Sequence, residues 1–277
     1  MGITDNPSIA RRGFMGALAG LAIARELVGE GDTARAAAVD SANGSVNFGR
    51  HSLRFVDLTH KLTRDFNFNA TSPRISMESV DGSGVAVGMK MHRLSLIEHT
   101  GTHIDAPSHF GDAYKSLGDI GVSDLITPLA VIDISEKAAN DRNAQLEPDD
   151  VLAWERKHGR LPQGCCVAMH SGWDPIAQTA RNKTAGQFAS PGFSVEAARM
   201  LVESRQVKGI AVDAMTIDAG PNVPSYPVHQ FWLRSGRWGI EGLTNLKSVP
   251  PVGALLIVGV APIAEATGMP VRAIALF

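Results

Sequence analysis

The chain has 277 residues, of which 44% are hydrophobic and 19% are charged, with a formal net charge of −2. This composition excludes an intrinsically disordered chain, and the near balance of 26 basic and 28 acidic residues argues against a nucleic-acid-binding protein. The two cysteines, Cys165 and Cys166, are adjacent, so the sequence contains neither a disulfide framework nor a cysteine-based zinc ribbon.

The N-terminus has the pattern of an export signal. Arg11 and Arg12 precede a mild apolar run over residues 13–24, which is too short to span a bilayer as a helix. The pattern resembles a twin-arginine signal peptide, so we predict a leader over residues 1–38 and a small, polar linker over residues 39–53. A short surface helix is the alternative. The leader predicts transport by the twin-arginine export machinery to the periplasm or the exterior, without membrane association after cleavage.

Residues 54–277 show no composition shift and are predicted to form one domain. Val85 to Ile97 approaches the alternating pattern of a half-exposed hairpin strand. Nearly continuous apolar runs predict strands covered on both faces at residues 129–134, 165–169, 209–213, 254–260 and 271–277. Two helices are predicted, at residues 148–158 and at residues 195–203 after the cap Ser194. This mixture predicts an α/β fold with a central mixed β-sheet and covering helices.

The residues suited to chemistry are concentrated in one short segment that begins at His99. His99 and His103 are four residues apart, and His103 and Asp105 share a face of an extended chain. Two imidazoles and one carboxylate that converge are a common ligand set for a divalent cation. His109 follows four residues after Asp105. A glycine and a proline disfavour a helix here, so we predict a strand end that leads into a loop. A polar loop with three histidines is the alternative.

The segment from His99 to Phe110 resembles the signature of the cyclase family of metal-dependent hydrolases, which reads His-x-Gly-Thr-His-x-Asp-x-Pro-x-His-Phe. Further segments of residues 54–277 resemble the same family, which includes kynurenine formamidases and isatin hydrolases. The resemblance implies a swivelling β/β/α domain that binds one or two divalent ions, zinc or manganese. It also implies a homodimer or a larger assembly.

The resemblance assigns roles to individual residues. The metal ligands that it implies are His99, His103, Asp105, His229 and Glu241. It implies catalytic roles for His109, Asp105 and Glu241, with His109 as a proton shuttle for attack by metal-bound hydroxide. From the residues alone, His109 could instead be a fourth ligand, or a residue that contacts the ligands without touching the ion. His229 could equally be a loop histidine, and Glu241 a solvated acid.

The expected substrate is a small-molecule amide or lactone. An arylformamide is the first candidate, and a cyclic amide or lactone, of the isatin or lactam type, is the second. The predicted substrate pocket contains Phe66, Phe68, Phe110 and Trp173. A secreted protein that binds a metal or ligand without turnover is the alternative from a different functional class.

Overall fold

The computed structural model describes residues 42–48, 51–64, 66, 74–80, 88–173 and 188–277. The predicted leader over residues 1–38 and the predicted pocket residue Phe68 lie outside these ranges, so both remain predictions. Within the described residues, no helix is long and apolar enough to cross a membrane.

Strands and helices alternate along the described residues. The strands are β1 Asn43–Phe48, β2 His51–Asp57, β3 Ser76–Ser79, β4 His92–Ser95, β5 His103–Asp105, β6 Ile126–Asp133, β7 Gln145–Leu146, β8 Cys166–His170, β9 Gly192–Phe193, β10 Gly209–Val212, β11 Trp238–Glu241, β12 Ala254–Gly259, β13 Gly268–Pro270 and β14 Arg272–Leu276. The α-helices are α1 Val122–Leu125, α2 Ser135–Asn140, α3 Pro148–His158, α4 Val195–Glu203 and α5 Pro227–Arg234. Short 3-10 helices lie at Pro107–Phe110, Leu117–Asp119, Gly220–Asn222 and Leu246–Ser248.

Ten of the described strands form one mixed sheet in the order β1-β2-β14-β12-β6-β8-β10-β11-β5-β13. The four central strands β6, β8, β10 and β11 run parallel to one another. The strands that flank them pair antiparallel, β12 with β6 on one side and β5 with β11 on the other. The predicted α/β class with a mixed central sheet is therefore confirmed.

Two hydrophobic clusters cover opposite faces of the central strands. Successive residues of β8 alternate between them, with Val167 in the cluster that contains the helices and Ala168 in the other. The prediction of strands covered on both faces holds for β8 and β10, in which every residue is buried. It is wrong for β12 and β14, in which buried and partly exposed residues alternate. The reason is that the buried residues of β12 and β14 all belong to the second cluster, so the helical layer does not reach these strands.

Helices α3 and α4 have the predicted bounds, because their ends carry strong local signals. Glu147 and Asp150 form a capping box at the start of α3, and Gly159, at φ 88°, ends it. Ser194 Oγ accepts a hydrogen bond from Ala197 N, 3.0 Å away, at the start of α4. The buried faces of both helices pack on the parallel strands.

Two stretches differ from their predicted form. The predicted linker over residues 39–53 contains β1 and the start of β2, which pair antiparallel at the edge of the main sheet. Their backbone hydrogen bonds stabilise an extended conformation that the small, polar side chains do not signal. The predicted hairpin strand over residues 85–97 is represented by β4, which pairs with β3; residues 81–87 lie outside the described ranges. All four β4 residues are exposed, rather than alternating as predicted.

Candidate metal centre

Strands β5 and β11 place three predicted ligands side by side. His103 and Asp105 lie on one face of β5, whereas Ile104 between them points into the hydrophobic cluster on the other face. The antiparallel register sets Glu241, the last residue of β11, opposite His103. The predicted strand at this segment is confirmed, and the predicted loop after it is the 3-10 helix Pro107–Phe110.

Helix α5 supplies the fourth predicted ligand, His229. Pro227 occupies its first turn, and Tyr226 before it adopts a left-handed conformation with φ 49°. Asp218, between β10 and the 3-10 helix Gly220–Asn222, accepts hydrogen bonds from the backbone nitrogens of Val228 at 2.8 Å and His229 at 3.0 Å. The same carboxylate is 2.6 Å from His229 Nδ1, so it caps the helix and also orients the imidazole.

The five predicted ligands converge on two overlapping groups. His99 Nδ1 is 2.6 Å and His103 Nε2 is 3.3 Å from Asp105 Oδ1, which forms the first group. His229 Nε2 is 3.5 Å from Asp105 Oδ2 and 3.1 Å from Glu241 Oε1, which forms the second. Asp105 belongs to both groups, as expected of a carboxylate that could bridge two ions.

The donor set fits one or two divalent cations. His103, Asp105, His229 and Glu241 are each no more than 6% exposed, so two carboxylates and two imidazoles are withdrawn from water together. Asp105 Oδ2 is buried and accepts no hydrogen bond from any side chain or backbone group in the described ranges. A buried carboxylate oxygen without a donor is costly, and a cation would satisfy it.

The electrostatics of the cluster also favour a cation. Burial alone lowers the pKa of His103, but the carboxylates of Asp105 and Glu241 and the Gly101 carbonyl outweigh burial and raise the pKa to about 9. Burial likewise lowers the pKa of His229, but the neighbouring carboxylates of Asp105, Asp218 and Glu241 raise it well above its usual value. Protons therefore balance the carboxylates in the metal-free cluster, and a bound divalent ion would displace them.

His109 lies at the edge of this cluster and belongs to neither ligand group. Its ring stacks on His99 with centroids 3.9 Å apart, and the His229 ring lies 6.1 Å away. Burial, reinforced by the charges of His99 and His229, lowers the pKa of His109 to about 4 despite the opposing effect of Asp105. The imidazole is therefore neutral at neutral pH, which is the form that a proton acceptor must have before it takes up a proton.

The predicted pocket aromatics separate into two places. The Phe110 ring lies 5.0 Å from the His109 ring and 5.2 Å from the His229 ring, at the metal centre. Phe66 is buried against Gly101, between His99 and His103 in the sequence. Trp173 instead lines a separate cavity of about 150 Å³, whose described walls include none of the five predicted ligands.

The structure adds functional residues that the sequence analysis does not assign. Asp218 orients His229, as described above, and the Tyr226 ring lies 5.4 Å from that of His229. Tyr226 is a bulky residue before a proline with positive φ, which is a strained conformation held at the edge of the site. In the sequence, an aromatic residue directly before Pro227 and close to His229 is a local signal that could have identified Tyr226. The sequence does not indicate that the side chain of Asp218, 11 residues before His229, contacts it.

The sequence of this chain is similar to those of known proteins. The family model Cyclase, described as "Putative cyclase", matches residues 56–219. The chain is 36% identical over 191 residues to an isatin hydrolase from Roseibium aggregatum, covering 65% of this chain and 72% of that protein. It is 27% identical to a kynurenine formamidase from Salinibacter ruber, covering 70% and 81%.

Solved structures of related proteins are similar in fold to this chain. Isatin hydrolase A from Ralstonia solanacearum is 27% identical to this chain, with a TM-score of 0.72 over 99% of both chains. A structure described as a potential metal-dependent hydrolase with cyclase activity has a TM-score of 0.61 at 21% identity, which shows the fold alone. The signature segment, the fold and the family match all coincide, and the chain belongs to the Cyclase family of metal-dependent hydrolases.

Proposed function

We propose that this protein is a divalent-metal-dependent hydrolase that cleaves a carbon–nitrogen amide bond of an aryl substrate. The observation that carries the proposal is the cluster of three imidazoles and two carboxylates, buried except for the partly exposed His99, with the neutral His109 stacked at its edge. A protein that only bound a metal would not need a proton acceptor at this position. The similarity to an isatin hydrolase and to kynurenine formamidases supports the same reaction class.

His99, His103, Asp105, His229 and Glu241 would hold the ion or ions. A divalent ion bound there would polarise the substrate carbonyl and lower the pKa of a coordinated water towards about 7. His109 accepts the proton that the attacking water loses as its oxygen bonds to the carbonyl carbon. His109 then returns this proton to the nitrogen as the carbon–nitrogen bond breaks, so the products are a carboxylate and an amine. Asp218 holds His229 in one orientation throughout.

We infer that a cyclic aryl amide of the isatin type is the preferred substrate. Arylformamides are the first candidate from the sequence alone, but the chain is 36% identical to the isatin hydrolase and 27% identical to the kynurenine formamidase. An arylformamide is therefore the second candidate. The rings of Phe110 and Tyr226, 6.3 Å apart beside His229, would form one wall of an aryl pocket.

The metal and the substrate can be tested on one sample. Protein stripped of metal is reconstituted with zinc or manganese and assayed with isatins, formamides, lactams and lactones. We expect ring opening of isatin with at least one of the two metals and its loss on chelation. Stoichiometric metal without turnover of any of these substrates would support the binding protein and contradict the hydrolase.

We further propose that the protein is exported through the twin-arginine machinery and works in the periplasm or outside the cell. The support is Arg11-Arg12 before the short apolar run. Intact-mass measurement of periplasmic protein should show the loss of about 36–38 residues. Replacing Arg11 and Arg12 by lysine should retain full-length protein in the cytoplasm, whereas unprocessed wild-type protein confined there would contradict the proposal.

We expect the processed protein to be a homodimer or larger, which light scattering measures.

A further inference from the structure

The outer edge of the His99 ring is held by a hydrogen-bonded chain that lies outside the predicted ligand set. His99 Nε2 is 3.1 Å from Thr267 Oγ1. Thr267 Oγ1 is 2.5 Å from Glu98 Oε2, and the Thr267 backbone nitrogen is 3.2 Å from the same carboxylate oxygen. Both residues are partly buried, as is His99, so this chain is only partly exposed to bulk water.

The direction of each hydrogen bond follows from the groups involved. A backbone N–H can only donate, so Glu98 Oε2 is an acceptor. The Thr267 hydroxyl has one proton, which it donates to this oxygen, and it therefore accepts from His99 Nε2. His99 Nε2 thus carries a proton that it keeps when an ion binds. Nδ1, which lies 2.6 Å from Asp105 Oδ1 and shares a proton with it in the metal-free protein, is then the nitrogen from which a bound ion would displace the proton.

The other two imidazoles of the cluster have the opposite arrangement. His103 Nδ1 is 2.9 Å from the Gly101 carbonyl oxygen, and His229 Nδ1 is 2.6 Å from Asp218 Oδ2. Each of these acceptors fixes the proton on Nδ1, which leaves Nε2 to face the carboxylates of the cluster.

We propose that Glu98 and Thr267 are positioning residues that fix the tautomer of His99, so that His99 binds the metal through Nδ1 while His103 and His229 bind through Nε2. The negative charge of Glu98, relayed by the Thr267 hydroxyl, makes His99 a stronger ligand. The proposal rests on the metal centre of the proposed function, and it assigns a role to two residues that do not touch the ion.

Zinc affinity, measured by competition with a chromophoric chelator, tests the relay. Thr267→Val keeps the side-chain volume but leaves His99 Nε2 without its acceptor, so we expect zinc affinity to fall by about 10–100-fold. Glu98→Gln keeps an acceptor but removes the charge, so we expect a smaller loss of about three- to tenfold. Because the charge acts through Thr267, adding Glu98→Gln to Thr267→Val should cause no further loss.

Two matched variants control for the substitutions themselves. Thr127→Val removes a buried hydroxyl that has no hydrogen-bond partner among the described residues. Glu136→Gln removes an exposed charge from the first turn of α2. Both should keep wild-type zinc affinity.

The tautomer can be observed directly in zinc-loaded protein labelled with ¹⁵N-histidine. The proposal predicts an Nε2–H pattern for His99 and Nδ1–H patterns for His103 and His229. An Nδ1–H pattern for His99, wild-type zinc affinity in Thr267→Val, or additive losses in the double variant would each overturn the relay. Failure of the wild-type protein to bind either zinc or manganese would instead contradict the proposed function, so the two failures are distinguishable.

Discussion

At the scale of single residues, His109 differs from its neighbours because it approaches the cluster without joining it. Its ring stacks on His99, yet the ring nitrogens form no hydrogen bond with any of the described residues. Its pKa is lowered to about 4. Replacing a metal ligand and replacing a proton shuttle have different consequences. Loss of a ligand releases the metal, whereas loss of a shuttle slows proton transfer with the metal in place.

The substitution His109→Asn separates these roles. Asparagine keeps some polarity and volume but cannot carry the proton, so we expect turnover to fall by about 10²–10⁴-fold with the metal still bound. Metal content and the pH–rate profile of the same preparation provide the check. Release of the metal, or turnover at the wild-type rate, would show that the role of His109 is assigned wrongly.

Gly268 makes room for the ring of His99, which is a predicted metal ligand. A Cβ atom at this position would lie 2.5 Å from His99 Cε1 and 2.7 Å from the Ile104 carbonyl oxygen. Gly268→Ala should therefore displace the His99 ring and weaken metal binding by at least about tenfold. Gly259→Ala is the matched control, because its Cβ would meet nothing closer than 3.6 Å. Equal metal affinity in the two variants, measured by chelator competition, would contradict this role.

At the scale of elements, helix α5 depends on a side chain that lies outside the helix, in the segment before it. Tyr226 at its N-cap provides no side-chain cap, and Asp218 accepts hydrogen bonds from the first turn in its place. One carboxylate thus stabilises the helix and fixes the proton on His229 Nδ1.

Asp218→Asn should therefore change two properties together. The amide cannot match the charged acceptor, so we expect about 1–2 kcal/mol less stability and about 10–100-fold weaker metal binding. Urea denaturation of metal-free protein and metal titration measure the two effects. A stability loss without a change in metal affinity would show that Asp218 is only a helix cap.

The elements also show where sequence reasoning succeeds. Helices α3 and α4 were predictable because Pro148, Gly159 and Ser194 mark their ends locally. Helix α5 carries comparable signals, a first-turn proline and apolar residues at helical spacing, and could have been predicted. The pairing of β1 with β2 depends on backbone hydrogen bonds that the polar side chains of Asn43–Phe48 do not indicate.

At the scale of the whole molecule, the signature segment and the family resemblance predict the five residues that converge in the cluster. The residues that contact these five from elsewhere in the chain could not be predicted. Thr267 is 168 residues from His99, so only the folded sheet brings these two side chains together. Asp218 is 11 residues from His229, but the sequence does not indicate the loop conformation that turns its side chain back onto α5. A single sequence contains no local signal for such contacts.

The buried charges predict how the stability of the metal-free protein depends on pH. The pKa of His103 is raised from 6.5 to about 9, so its contribution is present below pH 6.5 and is lost as the pH rises through about 9. The shift corresponds to roughly 3 kcal/mol as an upper bound. We expect the free energy of unfolding, measured in urea, to decline between pH 6.5 and 9, and to decline less in His103→Gln. A constant or rising value in the wild type would contradict the charge assignment.

If a metal held by this cluster drives amide hydrolysis, metal content and turnover must change together. Metal stoichiometry and isatin turnover are measured in the same preparations of wild-type protein and of His103→Ala. We expect wild-type turnover to disappear on chelation and to return with added metal, and His103→Ala to lose both metal and turnover. Full turnover in metal-free protein, or stoichiometric metal and wild-type turnover in His103→Ala, would contradict this expectation.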